Sequence, residues 1–370
     1  MVEPVALPII GVVGAGAMGA GIAQVALAAG HEVVLHDVDA GAIDHARERI
    51  RDGLLRDEAR REASGSGSDR VDLRLEALRA AHTLDTVAGQ AQIVVEAALE
   101  DLELKRSIFR ALDAEAPPDT ILATNTSALS IGAIAAVTAA PGRVLGLHFF
   151  NPVPRMALVE VVAGPATLEI VVERATSLVA SWGKTPVRAG DHPGFIVNRV
   201  NRPFTIRALR ALEAGVASVE AIDAAVREAG FPMGPFELMD LSGLDVNLAA
   251  ARAIWDGLGR PDRLRPSPIQ EALVEAGRLG RKTGAGFYAY RDGRGAEALP
   301  TGGATTVDRP VSEDPDAIVA AILRAIDEEA RRARDDGVAT AEAIDLALRL
   351  GANHPEGPFE RMARTGLTRD

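Results

Sequence analysis

From Pro8 to Asp37 the chain reads "PIIGVVGAGAMGAGIAQVALAAGHEVVLHD", and no other stretch narrows the choice of fold so far. A β-branched run, Ile9 to Val13, leads directly into Gly14-x-Gly16-x-x-Gly19. A helix-like segment follows, then a second strand from Glu32 to His36 that ends at Asp37. Alone, a glycine triplet is weak evidence, and a glycine-rich turn that binds nothing is its simplest reading. A strand before it, a helix after it and an acid at the end of the next strand together favour a dinucleotide site. Gly14 permits the tight turn, Gly16 lets the backbone approach a pyrophosphate, and Gly19 lets the helix pack on the strand. Ala17 and Met18 open that helix, whose N-terminal amides face the phosphates. A carboxylate at Asp37 accepts hydrogen bonds from a ribose and repels a 2′-phosphate, which favours NAD(H) over NADP(H).

Further strand and helix units follow. "AQIVVEAAL" (91–99) and "TILATNTS" (120–127) read as buried strands. The helix between them turns Leu102, Ile108, Phe109 and Leu112 to one face. Such alternation implies an α/β, Rossmann-type domain with a parallel sheet, and ligands gather at the C-terminal strand ends. Glu96, Glu100, Asn125, Thr126 and Ser127 fall at those ends, and Lys105 lies one turn into the following helix. Residues 42–63 read as a long charged helix, broken at "GSGS" (65–68) from a second helix over 69–81. The six arginines between 47 and 61 have acids interleaved among them and read mostly as a solvated face.

At 370 residues the chain is too long for one ordinary core and suggests two or three domains. A net charge of −12 with no basic run argues against nucleic acid as a partner. The absence of cysteine excludes disulfides, thiolate catalysis and Cys-ligated metal. The seven histidines show no HxxxH or HExxH spacing, so no metal is expected. Residues 4–30 lack charge, but glycines and prolines interrupt them and no basic segment precedes them. They read as neither signal peptide nor membrane span, which points to a cytoplasmic protein.

"GLHFFNPVPRMALVEV" (146–161) places one histidine and one carboxylate in an apolar setting. If its two strand-like arms form a hairpin about Pro154, His148 and Glu160, each six residues from that centre, face each other. A carboxylate on one imidazole nitrogen fixes the tautomer and stabilises the imidazolium, while the other nitrogen accepts a proton from a substrate. Beside a nicotinamide, that proton is the hydroxyl proton of a carbinol losing hydride. A buried pair that only holds the hairpin is the alternative on spacing alone.

Six blocks occur in order: "GVVGAGAMGAGIAQ", "NTSALSI", "HFFNPVPRMALVEVV", "DHPGFIVNR", "GFPMGPFELMDLSGLDV" and "KTGAGFYAY". Together, over roughly residues 8 to 290, they resemble the L-3-hydroxyacyl-CoA dehydrogenase family. The resemblance implies that His148 is the catalytic base, that Glu160 orients it, and that Ser127 and Asn198 contact the substrate oxygen. It implies NAD contacts at Gly14, Gly16, Ala17, Met18, Gly19, Asp37, Glu100, Lys105, Asn125 and Asn151. The expected reaction interconverts 3-hydroxyacyl and 3-oxoacyl thioesters. Two departures bear on the acyl carrier: Ala157 stands where the family commonly has lysine, and the segment around "GSGS" differs where the family often carries a CoA-contacting lysine. The substrate is therefore an acyl thioester of CoA or of a carrier protein, with a sugar acid or carnitine as a related alternative.

The second half turns helical. The expected division is 1–188 as the NAD-binding domain, 189–290 as a helical substrate and dimerisation domain, 291–312 as a linker, and 313–370 as a partial second helical copy. The copy rests on residues 213–244 recurring at 335–367, with "EAID" and "GPFE" in both. The arrangement implies a homodimer, or a monomer in which 313–370 packs on 190–290 as an internal pseudo-dimer. Trp255 and Phe236 read as core.

Overall fold

Each β-branched run in the first half is buried on both faces, and each is followed by a segment able to cover the sheet, so strands and helices alternate. The computed structural model describes residues 7–61, 67–291, 294–300 and 314–366. The chain divides into two units, Met1–His192 and Pro193–Asp370.

The first unit runs β1 (Ile10–Val13), α1 (Ala17–Ala28), β2 (Val33–His36), α2 (Ala40–Arg61), α3 (Gly67–Glu76), β3 (Leu78–Ala81) and α4 (Leu84–Gln90). It continues with β4 (Ile93–Glu96), α5 (Leu102–Glu115), β5 (Ile121–Thr124), α6 (Ile131–Ala135), β6 (Val144–Phe149), β7 (Leu158–Ala163), α7 (Glu169–Ser181) and β8 (Thr185–Gly190). The eight strands form one sheet in the order β3-β2-β1-β4-β5-β6-β7-β8. All neighbours are parallel except β6 and β7, which a turn joins directly. Strand order reverses at β1, between β2 and β4, and an open α/β sheet forms its crevice at such a reversal. Ile10, Val12, Ile22, Leu35, Val95 and Leu147 belong to the continuous core between sheet and helices.

Three expectations need correction here. The second charged helix ends at Glu76 and not at 81, because residues 78–81 form β3 on the free edge of β2. Leu-Arg-Ala-Ala is a good helix former, but an unpaired sheet edge outweighs local propensity. Leu78 and Ala81 are buried, and Arg79 pairs with Glu32 of the neighbouring strand region at 2.8 Å. The boundary expected at 188 falls inside β8, and the first unit continues to His192. The stretch 291–312 does not start as a linker, since part of it forms a strand of the second unit. Residues 301–312 lie outside the described residues, as does part of "GSGS".

The second unit holds α8 (Val197–Val200), α9 (Arg202–Glu213), α10 (Val219–Glu228), α11 (Pro235–Ser242), α12 (Leu244–Gly257) and α13 (Pro268–Glu275). After these come β9 (Tyr288–Arg291) and β10 (Arg294–Ala298), an antiparallel pair, then α14 (Pro315–Asp335), α15 (Ala341–Ala352) and α16 (Pro358–Thr365). The sequence repeat is a structural one. Asp223 on α10 accepts the amides of Phe236 and Glu237 at the start of α11, at 3.0 and 3.1 Å. Asp345 on α15 does the same for Phe359 and Glu360 on α16, at 2.8 and 3.0 Å. Glu237 and Glu360 bond back to the amides of Gly234 and Gly357, both at 2.9 Å. A Cβ on either glycine would stand under 2.5 Å from that aspartate, so both copies need glycine there.

The second copy packs on the first. α14 lies along α9 and also meets α8 and α10, and α15 meets α8. Within this contact Glu329 of α14 accepts from Arg199 at 3.0 Å and from Arg263 at 2.7 Å. Asp336 also pairs with Arg199, and the Arg199 and Glu329 side chains are each 1% exposed. Phe236 is fully buried, and Trp255 is half-buried with its indole N–H on the Pro261 carbonyl.

Candidate active site

The glycine loop lies at the crevice. Gly14 has φ 100°, and a Cβ on it would stand 2.6 Å from the Ala97 carbonyl oxygen. A Cβ on Gly19 would stand 1.8 Å from the Gly14 oxygen, which is the close helix packing expected of the third glycine. A Cβ on Gly16, the residue before α1, meets nothing within 4 Å. That open approach to helix-terminal amides at Ala17 and Met18 is what a pyrophosphate requires, so the loop fits a dinucleotide. Asp37, at the end of β2, accepts the Ala15 amide at 2.7 Å and the Asp39 amide at 3.0 Å, and so pins the loop from its other side.

Glu96, at the end of β4, is fully buried. It accepts from the Ala98 amide, the Thr124 hydroxyl and the Lys105 ammonium, each at 2.7 Å. Lys105 is 0% exposed, and its ammonium also lies 3.4 Å from the Ala98 carbonyl oxygen and 3.6 Å from Glu100. Lys105 thus sits buried behind Glu100. Glu100 itself gathers the following turn: one of its oxygens takes the Thr126 hydroxyl at 2.7 Å and the Ser127 amide and hydroxyl at 2.8 and 3.1 Å. Burial opposes the Glu100 charge, but the Thr126 hydroxyl, Lys105 and Ser127 outweigh it and hold the carboxyl below its ordinary 4.5. Because the folded value is lowered, the stability this turn gains is present above pH 4.5 and is lost as pH falls through the folded value. Melting curves of the protein and of Glu100→Gln, taken from neutral to acid pH, are expected to differ near neutrality and converge at acid pH. A constant difference would show that the Glu100 charge does not order the turn.

Asn125, one residue past β5, accepts the Phe149 amide at 2.8 Å and so ties the end of β5 to the end of β6. His148 lies on β6 directly opposite Glu160 on β7. Its Nδ1 is 2.5 Å from Glu160 Oε2, Glu160 is 0% exposed, and the Phe150 ring stands 4.5 Å from the imidazole. The register read from symmetry about Pro154 is the observed one. With Nδ1 against a carboxylate, any proton exchanged with another group would pass through Nε2.

Asn151, exposed just after β6, lines a cleft of about 350 Å³ between the start of α1, the face of α2 and the 151–155 turn. Arg49, Arg56 and Arg60 on α2, together with Arg155, also line it. Among the described residues Arg49, Arg56 and Arg155 meet no carboxylate, while Asp57 takes Gln24 at 2.8 Å and Arg60 at 3.5 Å. The solvated-face reading of the α2 arginines is therefore incomplete: Arg47 caps the carbonyls of Leu75 and Leu78 and Arg51 pairs with Asp72, but three others face a cleft. Reading α2 together with the hairpin turn is what would have found them. Sequence reasoning also missed Lys184, whose ammonium donates to the carbonyls of Val153, Pro154 and Met156 at 2.6, 3.3 and 2.8 Å and holds that turn. Burial lowers the Lys184 pKa, with Asp57 opposing. Asn198 belongs to the second unit, on α8. No described helix is long and apolar enough to cross a membrane.

Comparison with known proteins agrees with this geometry. Residues 9–192 match the model of the 3-hydroxyacyl-CoA dehydrogenase NAD binding domain. Residues 194–290 and again 318–369 match that of the 3-hydroxyacyl-CoA dehydrogenase C-terminal domain, so both helical copies are of one kind. The chain is 38% identical to a 3-hydroxyadipyl-CoA dehydrogenase of Escherichia coli (strain K12), over 97% of this chain and 91% of that protein. It is 43% identical to a 3-hydroxybutyryl-CoA dehydrogenase of Bradyrhizobium diazoefficiens, over 79% of this chain and 97% of that one. The crystal structure of a 3-hydroxybutyryl-CoA dehydrogenase from Escherichia coli K12 superposes with a TM-score of 0.88 at 37% identity, covering 97% of this chain and 92% of that one.

Proposed function

Because the chain belongs to the 3-hydroxyacyl-CoA dehydrogenase family and is an NAD-dependent oxidoreductase of 3-hydroxyacyl and 3-oxoacyl thioesters, we propose that His148 is its catalytic base and that the arginine-lined cleft receives CoA phosphates. The observation that carries the first part is the 2.5 Å His148–Glu160 contact at the strand ends that also bear the glycine loop and the Asn125–Ser127 turn. NAD supplies the acceptor for the C3 hydride. The work of this chain is to take the hydroxyl proton. Nε2 of His148 accepts it in the oxidative direction and returns it in the reductive one, and buried Glu160 stabilises the imidazolium between. The Ser127 hydroxyl, positioned by Glu100, directs the reacting oxygen, a role that the family resemblance gives to Asn198 as well. Lys105 acts on the cofactor side through Glu100.

Arg49, Arg56, Arg60 and Arg155 supply guanidinium groups suited to phosphate, which favours CoA over a carrier protein, whose phosphopantetheine lacks the nucleotide. Arg155 lies two residues before Ala157 and brings a cation to the turn where the family's lysine is missing. Replacing Arg56 and Arg155 together by alanine is expected to lower kcat/KM for a 3-hydroxyacyl-CoA by roughly 10–100-fold, and to leave the matched pantetheine thioester unchanged. Equal losses on both thioesters, or none, would remove the cleft from CoA recognition. Greater activity on a carrier-protein thioester than on CoA would favour the other carrier. In the same reading the second helical copy is an internal counterpart of a dimer contact. The name of the Escherichia coli relative, which covers nearly the whole chain, brings a dicarboxylic acyl group forward as the substrate class.

A further inference from the structure

Where α9 and α14 pack within the second unit, they leave a cavity. Arg207 and Arg210, three residues apart, share one face of α9, and Ala321, Arg324, Ala325 and Glu328 share one face of α14. Ala321 and Ala325 bring only methyl groups, so about 370 Å³ stays open between the two helices and the 262–264 turn, from which Arg263 lines it. α9 and α14 precede the corresponding helices α10 and α15, so the cavity lies on the seam between the two helical copies.

Four guanidinium groups reach this cavity, and their charges are not balanced there. Glu329, at 2.7 Å from Arg263, already holds Arg199 at 3.0 Å. Arg210 donates to the Asp262 carbonyl, a neutral group. Arg207, half-buried, and Arg324, exposed, meet no carboxylate among the described residues. Glu328, the other lining carboxylate, is exposed and forms no ion pair among them. Exposed arginines elsewhere in the unit do find acids: Arg227 meets Glu237 at 2.6 Å and Arg364 meets Glu356 at 2.8 Å. Like charges around one cavity repel, and its low-dielectric walls strengthen the field they set up inside it.

We propose that this cavity binds a polyphosphate chain, free or carried by a nucleoside, and that the bound chain ties α14 to α9 through Arg207, Arg210, Arg263 and Arg324. Guanidinium forks match phosphoryl oxygens in two-point geometry, and several unbalanced cations call for an anion of several charges. The volume falls within the range of about 300–1,000 Å³ that small-molecule sites occupy. The site is separate from the arginine-lined cleft on α2 and does not depend on which thioester the enzyme turns over.

The test titrates sodium tripolyphosphate into the full-length protein by calorimetry at about 50 mM salt, where screening is weak, with saturating NADH to fill the glycine loop. Arg207→Gln combined with Arg324→Gln is expected to weaken binding by at least about tenfold, whereas Arg56→Ala combined with Arg155→Ala, in the α2 cleft, is expected to leave it unchanged. Tripolyphosphate at about a hundred times its Kd is expected to raise the melting temperature of the parent by roughly 5–10 °C, and that of the Arg207, Arg324 variant far less. Should that double variant melt low, Arg324→Glu alone, on the exposed side of α14, is expected to weaken binding to a similar degree. ATP in place of tripolyphosphate separates the two sources: tighter binding of ATP assigns a nucleoside-borne chain, and equal binding assigns the chain alone. No binding by the parent, undiminished binding in the Arg207 and Arg324 variants, loss of binding in the α2-cleft variant, or an equal rise in melting temperature with sodium sulfate at matched ionic strength overturns the proposal.

Discussion

Replacing His148 by alanine is expected to lower kcat by about 10²–10⁴-fold, the range that a positioned general base contributes. Glu160→Gln is expected to fall within the same range although it keeps the shape of the side chain. The neutral amide still meets Nδ1, but it no longer balances the imidazolium that forms when Nε2 takes the proton. NADH affinity should change little in either variant, because Asp37 and the glycine loop lie on β1 and β2 while the pair lies on β6 and β7. Steady-state kinetics and a fluorescence titration with NADH check both parts. Near-normal turnover in both variants would reduce the pair to a structural fixture of the hairpin. Loss of NADH binding in step with kcat would place its effect on the cofactor rather than the proton.

The second large effect lies outside the chemistry. Glu329→Ala is expected to destabilise the second unit by about 3–5 kcal/mol, because it leaves Arg199 and Arg263 without the carboxylate between them. For a unit of this size that is a fall of roughly 6–20 °C in melting temperature. Replacing Arg199 and Glu329 together by methionine should recover much of the loss, since apolar side chains fill the space with no charge left buried. A single variant that melts like the parent would mean that Asp336 alone suffices for Arg199. Deletion of residues 314–370 tests the same contact more severely. It strips α14 from α9 and uncovers Arg199, so the truncated protein is expected to lose solubility or cooperative unfolding. A truncated chain as stable and soluble as the parent would make the second copy an ornament of the fold.

Much of this site was legible because its signals are local. Gly14, Gly16 and Gly19 have their roles set by a turn and a helix start within six residues, and Asp37 by its place at the end of the next strand. The His148–Glu160 register followed from equal spacing about one turn, since strand pairing has a period of two and a hairpin has a centre. For Lys105, helix position says where the side chain starts, whereas Glu96, 9 residues back, decides where its ammonium ends. The strand at 78–81 escaped because its residues favour helix, and only the open edge of β2 makes them a strand.

By itself the sequence determined what depends on neighbours along the chain: the dinucleotide loop, the histidine and the carboxylate that faces it, and a helical repeat whose capping aspartates, Asp223 and Asp345, recur with the same motif. Only the tertiary structure decided which charges find a partner. Arg51 meets Asp72, Arg199 meets Glu329 across 130 positions, Arg49 and Arg56 face a cleft, and Arg202 is buried with no carboxylate partner among the described residues. The reason is physical: the free energy of a charge depends on the solvent and ions around it, and those are set by chain segments far away in sequence.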